Sequence, residues 1–264
     1  MRLVITLLCC LCSMGQYAYA SKYALLIGVS DYKSENVKDL DGPKYDIESL
    51  AAILPSWGIH NNNIKILLDK EATKKNIIQE LNKLERKTKT GDQLFIYFSG
   101  HGTSPFDKSV GLEMPHTTGA FLPYDSLFDE GASSAEILNS LIVGQRDIQP
   151  ILKKMDKNKQ VFVVVDACYS ENTARSFSSD FTKPQPRAAS LSFSMLSNSS
   201  SGSSNNSDKN PLNAASSLAE SYPYENVVFF SASSKYETAG DFNQAMDLAN
   251  LTFDGKPHGV FTDA

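Results

Sequence analysis

Two reactive side chains each follow an apolar run of the chain. Cys168 comes just after the run VFVVV at residues 161–165, and His101 comes just after the run QLFIYF at residues 93–98. Runs of β-branched and aromatic residues without alternation predict central strands of a parallel sheet, because both faces of such strands are covered. Ligands of open α/β sheets bind beyond the carboxyl ends of the strands. We therefore expect the thiol and the imidazole to lie at the same edge of a sheet and, on neighbouring strands, to meet.

A thiol beside an imidazole can carry out nucleophilic catalysis. The thiolate is the attacking species, and a neighbouring histidine makes it available near neutral pH. In this interpretation Cys168 attacks a carbonyl carbon, His101 protonates the leaving amine, and water releases the acyl group. The backbone N–H groups of Gly102 and Cys168 are the candidate donors to the oxyanion. The alternatives are a buried structural thiol and a loop histidine.

The first twenty residues predict a signal peptide that is cleaved near Ala20. Arg2 supplies the positive start, residues 3–14 form an apolar core, and residues 18–20 form a small-x-small cleavage site. A lipoprotein signal is the alternative, because cysteines lie in the apolar core, but small residues are not properly placed before them. We expect an exported protein, secreted or periplasmic, that has no membrane span once the signal is removed.

The cysteine count favours a functional Cys168. The chain has four cysteines, and three of them fall in the predicted signal peptide. An exported protein with one remaining cysteine cannot form an internal disulfide. A free thiol in an oxidising compartment is a liability unless it is functional or deeply buried.

Composition and charge limit the other classes of function. The chain has 264 residues, of which 41% are hydrophobic, and a formal net charge of -5. One large domain with a sizeable core is the default for this length. Lys and Arg residues are scattered rather than gathered into a stripe, so nucleic-acid binding is not expected.

Strand and helix patterns alternate along the chain and predict an α/β fold. A mostly parallel central sheet with helices on both faces and right-handed crossovers follows from that order. Amphipathic spacing and capping residues mark the helices, such as Pro43 at the start of the first one and Thr73 before the second. The predicted strands cover residues 22–29, 63–69, 93–98, 161–165 and 226–231, and the predicted helices cover residues 43–54, 74–86 and 145–155. Residues 103–132 are loop-like, with a hairpin near residues 121–125 flanking the site.

Two segments depart from this alternation. Residues 171–222 are rich in Ser and Asn and poor in apolar residues, which predicts an exposed, disordered insertion. A single domain would then run from residue 21 to residue 264 around it. The last residues, 259–264, form a helix-like start, from which we expect a further terminal element.

Six motifs together resemble the caspase-like cysteine peptidases, closest to the metacaspase and bacterial orthocaspase branch. The motifs are YALLIGVSDY, LDGPKYDIESL, FIYFSGHG, VVVDACYS, FFSAS and HGVFT, and the likeness runs along most of residues 22–170 and resumes at residues 226–264. The resemblance implies a three-layer caspase-like fold and a cysteine endopeptidase. By position, His101 and Cys168 match the catalytic dyad of that family.

The resemblance also implies the substrate pocket. Asp166 matches the acidic residue that lines the pocket for the side chain before the cut, Ser99 matches the polar residue beside it, and Asp46 matches the second acid. We expect Asp46 in the first turn of the first helix, where the alternative is an acid favoured by the helix dipole. Buried acceptors select a cation, so the resemblance implies cleavage after Arg or Lys.

Three features bear on regulation. Tyr169 and Glu171 depart from the residues common in metacaspases, and Glu171 leaves the conformation of the loop after Cys168 open. Some family members need calcium as an activator, and its ligands cannot be located in this sequence. Basic residues in the insertion predict self-cleavage sites, with a solvated linker as the alternative; they are Arg175, Lys183, Arg187 and Lys209.

Other classes of function compete with the peptidase. A catalytically idle caspase-like module for binding or scaffolding is the main alternative, although idle relatives typically lose the Cys or the His. An acyl-transfer or ligase-type enzyme on the same fold is a third hypothesis, which product analysis with an added amine would separate from hydrolysis. A metal site built from His101, His116, Asp166 and Cys168 lacks recognised ligand spacing.

Overall fold

The structure is a computed structural model. It describes residues 20–103, 119–167, 185–186, 224–232, 240–243 and 246–264. Cys168, nearly all of the predicted signal peptide and all but two residues of the predicted insertion lie outside the described residues. No helix within the described ranges is long and apolar enough to cross a membrane.

A five-stranded sheet forms the centre of the molecule. Its strand order is β2-β1-β3-β7-β9, and all four strand pairs are parallel. These strands are β1 (Lys22–Gly28), β2 (Ile64–Leu68), β3 (Gln93–Ser99), β7 (Gln160–Asp166) and β9 (Val227–Ser231). The predicted α/β architecture with a parallel sheet is therefore confirmed, and the two strands that precede His101 and Cys168 are direct neighbours.

Two small sheets accompany the central one. The strands β4 (Gly102–Thr103), β5 (Ala120–Phe121) and β6 (Ile142–Val143) form an antiparallel sheet directly after the end of β3. Its third strand was not predicted from the sequence. The strands β8 (Gln185–Pro186) and β10 (Gly240–Asp241) form an antiparallel pair.

Six α-helices surround the sheets in the described ranges. They are α1 (Gly42–Ile53), α2 (Lys74–Lys87), α3 (Ser134–Ser140), α4 (Gln149–Met155), α5 (Leu248–Leu251) and α6 (Val260–Asp263). Thr73 caps α2 as predicted, since its hydroxyl accepts from the N–H of Asn76 at 3.2 Å. The helix predicted over residues 145–155 is instead a π-helical turn at Gly144–Ile148 that continues into α4.

The side chains of each strand alternate between two apolar layers. In β1, Leu25 and Ile27 belong to the larger layer, which contains residues of α2 and α4, whereas Ala24 and Leu26 pack with Ile47 of α1 on the other face. This period of two follows from the pleat of the strand. The result is the predicted three-layer arrangement of helices, sheet and helix.

One face of β7 is partly exposed, whereas we predicted that both faces of the Cys168 strand are buried. Phe162 is 40% exposed, while Val161 and Val163 on the opposite face are buried. The neighbouring Phe230 of β9 is 50% exposed. The physical reason is that α1 makes its main contacts with β1, β2 and β3 and therefore does not cover Phe162 and Phe230.

Candidate active site

The strand register aligns the two chain segments that carry the predicted dyad. Ser99 at the end of β3 is paired with Asp166 at the end of β7, and the N–H of Gly100 donates to the carbonyl of Asp166 at 3.3 Å. His101 follows Ser99 by two residues, just as Cys168 follows Asp166 by two. Neighbouring strands lie about 4.8 Å apart. Cys168 itself is outside the described residues, so the dyad stays a prediction.

A backbone carbonyl orients the ring of His101. The side chain is buried, and its Nε2 lies 2.7 Å from the carbonyl oxygen of Lys38. A carbonyl can only accept a hydrogen bond, so Nε2 carries the ring proton of the neutral imidazole. Nδ1 is then the basic nitrogen, and it is the atom that can receive a proton from an acid such as a thiol.

Tyr32 supports the backbone and the ring of His101 together. Its hydroxyl accepts from the N–H of His101 at 2.7 Å, and the two ring centroids are 5.1 Å apart. The close approach requires a glycine beside the histidine, because a Cβ on Gly100 would lie 3.0 Å from the Tyr32 hydroxyl. Sequence analysis assigned no role to Tyr32 or to the carbonyl of Lys38.

The N–H of Gly102, a predicted oxyanion donor, points away from β5. The N–H of Leu122 donates to the carbonyl of His101 at 3.0 Å, so these two residues occupy a hydrogen-bonding position of the ladder, although the N–H of His101 donates to Tyr32 instead. Gly102 pairs with Phe121 at the next position of the antiparallel ladder. Hydrogen-bonded and non-hydrogen-bonded pairs alternate along such a ladder. The Gly102 N–H is therefore not used to bind β5.

Asp46 is fully buried beside the end of β3. Its Oδ2 accepts from the hydroxyl of Ser99 at 2.8 Å. Close packing of α1 on β1 holds it there, since a Cβ on Gly28 would lie only 2.6 Å from a side-chain carbon of Ile47. The prediction that Asp46 lies in the first turn of the helix is wrong, because α1 already begins at Gly42 and its first turn contains no acidic residue.

Asp166 is also fully buried, and two hydroxyl groups form a chain of hydrogen bonds that ends at its carboxylate. The hydroxyl of Thr262 donates to Asp166 Oδ2 at 2.5 Å, and the hydroxyl of Tyr97 lies 2.6 Å from that of Thr262. Because the single hydroxyl proton of Thr262 is directed to the carboxylate, Tyr97 is the donor to Thr262. The short helix α6 thus contacts the acid at the end of β7.

A second histidine binds the other acid. His258 has no exposed surface, and its Nδ1 lies 3.1 Å from Asp46 Oδ1 while its Nε2 lies 3.0 Å from Asp254 Oδ1. Burial lowers the pKa of His258, but the hydrogen bonds and charges of Asp46 and Asp254 outweigh burial, so the pKa is raised above its ordinary value. The N–H of Gly259 also donates to Asp46 Oδ1 at 3.0 Å.

The structure brings four of the predicted site residues to one edge of the sheet. These are Asp46, Ser99, His101 and Asp166, and all four are buried. Gly102 directly follows His101. The contacts that sequence analysis missed come from Tyr32, Lys38, His258 and Thr262. The motif HGVFT could have pointed to His258 and Thr262, because it contains both residues and one of only four histidines in the chain.

A metal site is not evident in the part of the chain that is described. It contains no group of three or more His, Cys, Asp or Glu side chains that could hold a metal ion. The metal set considered from the sequence includes His116 and Cys168, which both lie outside the described ranges. Activation by calcium, which the family resemblance leaves open, stays a prediction.

A family model matches the chain over nearly its whole length. The model described as Peptidase C14, caspase domain, matches residues 21–264. The chain belongs to the caspase domain family. This match confirms the predicted caspase-like family.

Several metacaspases are similar to this caspase-domain chain. Metacaspase-7 and metacaspase-6 of Arabidopsis thaliana are 30% and 28% identical to it, each over 57% of this chain and over 35% and 38% of their own lengths. Metacaspase-1 of Plasmodium falciparum is 32% identical over 56% of this chain and 24% of its own length. The chain thus matches well under half the length of these relatives.

A solved structure shares the fold. The crystal structure of protein GSU0716 from Geobacter sulfurreducens matches with a TM-score of 0.53 and 14% sequence identity, over 92% of this chain and 79% of that chain. At this identity the likeness shows the fold alone.

Proposed function

We propose that the protein is an exported cysteine endopeptidase that hydrolyses peptide bonds after Arg or Lys. The observation that carries the specificity is a pair of fully buried carboxylates, Asp46 and Asp166, at the sheet edge where His101 follows β3. Buried carboxylates in one pocket favour a cationic side chain, because an unpaired charge in such a site is costly. The caspase domain family supports a protein or peptide substrate.

The chemical steps follow from the orientation of His101. With Nε2 bound to the carbonyl of Lys38, Nδ1 takes the proton of the Cys168 thiol, and the thiolate attacks the carbonyl carbon of the substrate. The N–H groups of Gly102 and Cys168 stabilise the oxyanion. The protonated His101 then gives its proton to the leaving amine, and water, deprotonated by the same ring, releases the acid and restores the thiol.

Recognition of the substrate cation uses the acids and the hydroxyl between them. Ser99 donates to Asp46 and is paired across the strands with Asp166, so a basic side chain that enters at this edge meets oxygen atoms from three residues. An acidic side chain would meet the same oxygens and be repelled. We therefore expect no preference for substrates that have Asp before the cut.

The test is hydrolysis of matched fluorogenic peptides that end in Arg, Lys or Asp before the reporter. We expect the purified full chain to cleave the Arg and Lys peptides only, with and without added calcium as separate arms, and the variant Cys168→Ala to cleave none. Cleavage after Asp would overturn the pocket assignment. No cleavage by a protein with a native circular dichroism spectrum, in either calcium arm, would favour a binding or scaffold module.

Export and self-processing have their own tests. We expect protein recovered outside the cytoplasm of an expressing cell to begin at Ser21, as N-terminal sequencing would show. We also expect fragments that end at Arg175, Lys183, Arg187 or Lys209 to form with the native Cys168 and to be absent with Cys168→Ala.

A further inference from the structure

His258 binds one acid of the proposed pocket from within the chain. Both ring nitrogens face carboxylate oxygens, Asp46 Oδ1 at 3.1 Å and Asp254 Oδ1 at 3.0 Å. Carboxylates accept hydrogen bonds and do not donate them when ionised, so both nitrogens must carry protons to satisfy these contacts. Only the imidazolium form of histidine has two N–H groups. The geometry therefore assigns His258 a positive charge.

The surroundings keep that cation in place. The ring has no exposed surface, is stacked on Phe253 with 5.0 Å between ring centroids, and has the edge of Tyr45 at 6.3 Å. The raised pKa of His258 agrees with the charge assigned from the hydrogen bonds. A buried histidine held in this way behaves as a fixed counter-ion rather than as a mobile surface group.

The charged and titratable groups around His258 come from three parts of the fold. Helix α1 contributes Tyr45 and Asp46, the loop before α6 contributes Asp254 and Lys256, and β10 contributes Asp241, whose backbone bridges to Gly259. Lys256 lies 3.7 Å from Asp254 and 5.6 Å from the centroid of the Tyr45 ring, which places its charge on the outer side of this group. Asp46 is the acid that His258 shares with the pocket.

We propose that His258 is a specificity-determining residue: a resident cation that neutralises Asp46, so that the pocket offers a substrate the charge of one carboxylate rather than two. The inference rests on the proposed function, since it concerns how the same pocket selects Arg or Lys. A net charge of minus one matches a single substrate cation. It also lets a neutral side chain of the same shape bind better than it would beside two uncompensated acids.

The experiment compares two peptides that differ only in charge. One has Arg before the cut and the other has citrulline, which has nearly the same shape and no charge. The ratio of their kcat/KM values measures charge selectivity, and effects on the dyad cancel in that ratio. Removing or adding one charge in this pocket is expected to change the ratio about tenfold or more.

Three variants of the full chain test the charge count. His258→Gln should raise the ratio about tenfold over the native chain, Asp46→Asn should lower it about tenfold, and the double variant should return close to the native ratio. His60→Gln is the matched control, because His60 is exposed and precedes β2 at the amino edge of the sheet. It should leave the ratio unchanged.

Each outcome discriminates. A ratio for His258→Gln within twofold of the native value, or an equal loss of kcat/KM on both peptides, would show that His258 only anchors the chain and would overturn the proposal. In either case the native preference for Arg would still stand. A native chain that prefers Asp over Arg would instead refute the proposed function, and this result is read from the native chain alone.

A second measurement tests the proposal even if the His258→Gln variant fails to fold. In the native chain the ratio should rise as the pH increases above about 6.5, the ordinary pKa of histidine, because His258 loses its proton there. Asp254→Asn removes the negative charge of one of its two partners, so the rise should move to lower pH. A ratio that stays constant with increasing pH in both proteins would contradict the proposal.

Discussion

The two halves of the candidate site are built from different kinds of groups. Neutral groups hold His101, namely the carbonyl of Lys38 and the hydroxyl of Tyr32. Charged groups build the acidic half, where Asp46 is bound to the imidazolium of His258. Neutral partners fix an orientation without adding a field, whereas charged partners set the potential that a substrate meets. The neutral half therefore sets the reactivity of His101, and the charged half sets which substrate side chain is selected.

The two halves also differ in how the chain assembles them. The contacts of His101 span 63 and 69 residues and involve the loop after β1. The contact between Asp46 and His258 spans 212 residues. The acidic half therefore depends on the packing of the segment 254–264 against α1, and the histidine half does not.

Replacing His101 gives the largest effect and tests the histidine half. His101→Asn removes the general base and acid, so kcat should fall about 1000-fold while KM for the Arg peptide changes little. Steady-state kinetics measures this, and circular dichroism should show an unchanged fold. A variant that keeps more than a tenth of the native kcat would remove His101 from the mechanism.

Removing the cation of the acidic half should cost stability in a way that depends on pH. His258→Gln leaves Asp46 without its cationic partner, which should lower the free energy of unfolding by about 3 kcal/mol at pH 6.

The sign of the pH dependence follows from the raised pKa of His258. The stabilisation is fully present below the unfolded pKa of about 6.5 and is lost as pH rises through the folded pKa. Urea unfolding at pH 6 and pH 9 measures it, and the difference between native and variant should shrink at pH 9. An equal difference at both values would mean that the histidine stabilises by packing alone.

Neutralising the other acid tests whether selection is confined to the acidic half. Asp166→Asn should lower the ratio of kcat/KM for Arg over citrulline about tenfold and leave the citrulline value nearly unchanged. Equal losses on both peptides would show that Asp166 supports the dyad instead, and the two halves would then not be separable.

The smallest effect is expected at Tyr32. Tyr32→Phe removes one hydrogen bond to the N–H of His101, which should cost about 1 kcal/mol of stability and lower kcat a few-fold. Because the lost group is neutral, the ratio of Arg over citrulline should stay at the native value. A change in that ratio would break the comparison between the halves.

Local patterns predicted most of the central sheet. The strands at β1, β3 and β7 agree with the apolar runs, because buried parallel strands need continuous β-branched and aromatic residues. The cap at Thr73 was readable for the same local reason. Helix α3 was missed although Ser133 and Glu136 form a capping box before it, since the helix has only seven residues.

From the sequence, the site residues could be placed at the ends of strands but no more precisely. The apolar runs predicted that His101 and Asp166 lie at the ends of two strands, and the register then paired Ser99, two residues before His101, with Asp166. The exposure of Phe162 was not predictable, because it depends on which strands α1 covers. The place of Asp46 was one turn off for the related reason that the start of α1 is set by packing as well as by Pro43.

The sequence by itself determined the five strands of the central sheet, the helices α1, α2 and α4 and the order in which reactive residues reach the sheet edge, because these follow from periodicity and propensity over a few neighbouring residues. Tertiary structure alone decided that the carbonyl of Lys38 orients His101, since a backbone carbonyl carries no residue identity that a pattern could reveal. It also decided that His258 binds Asp46. Such a contact between distant residues exists only once the sheet and α1 have packed.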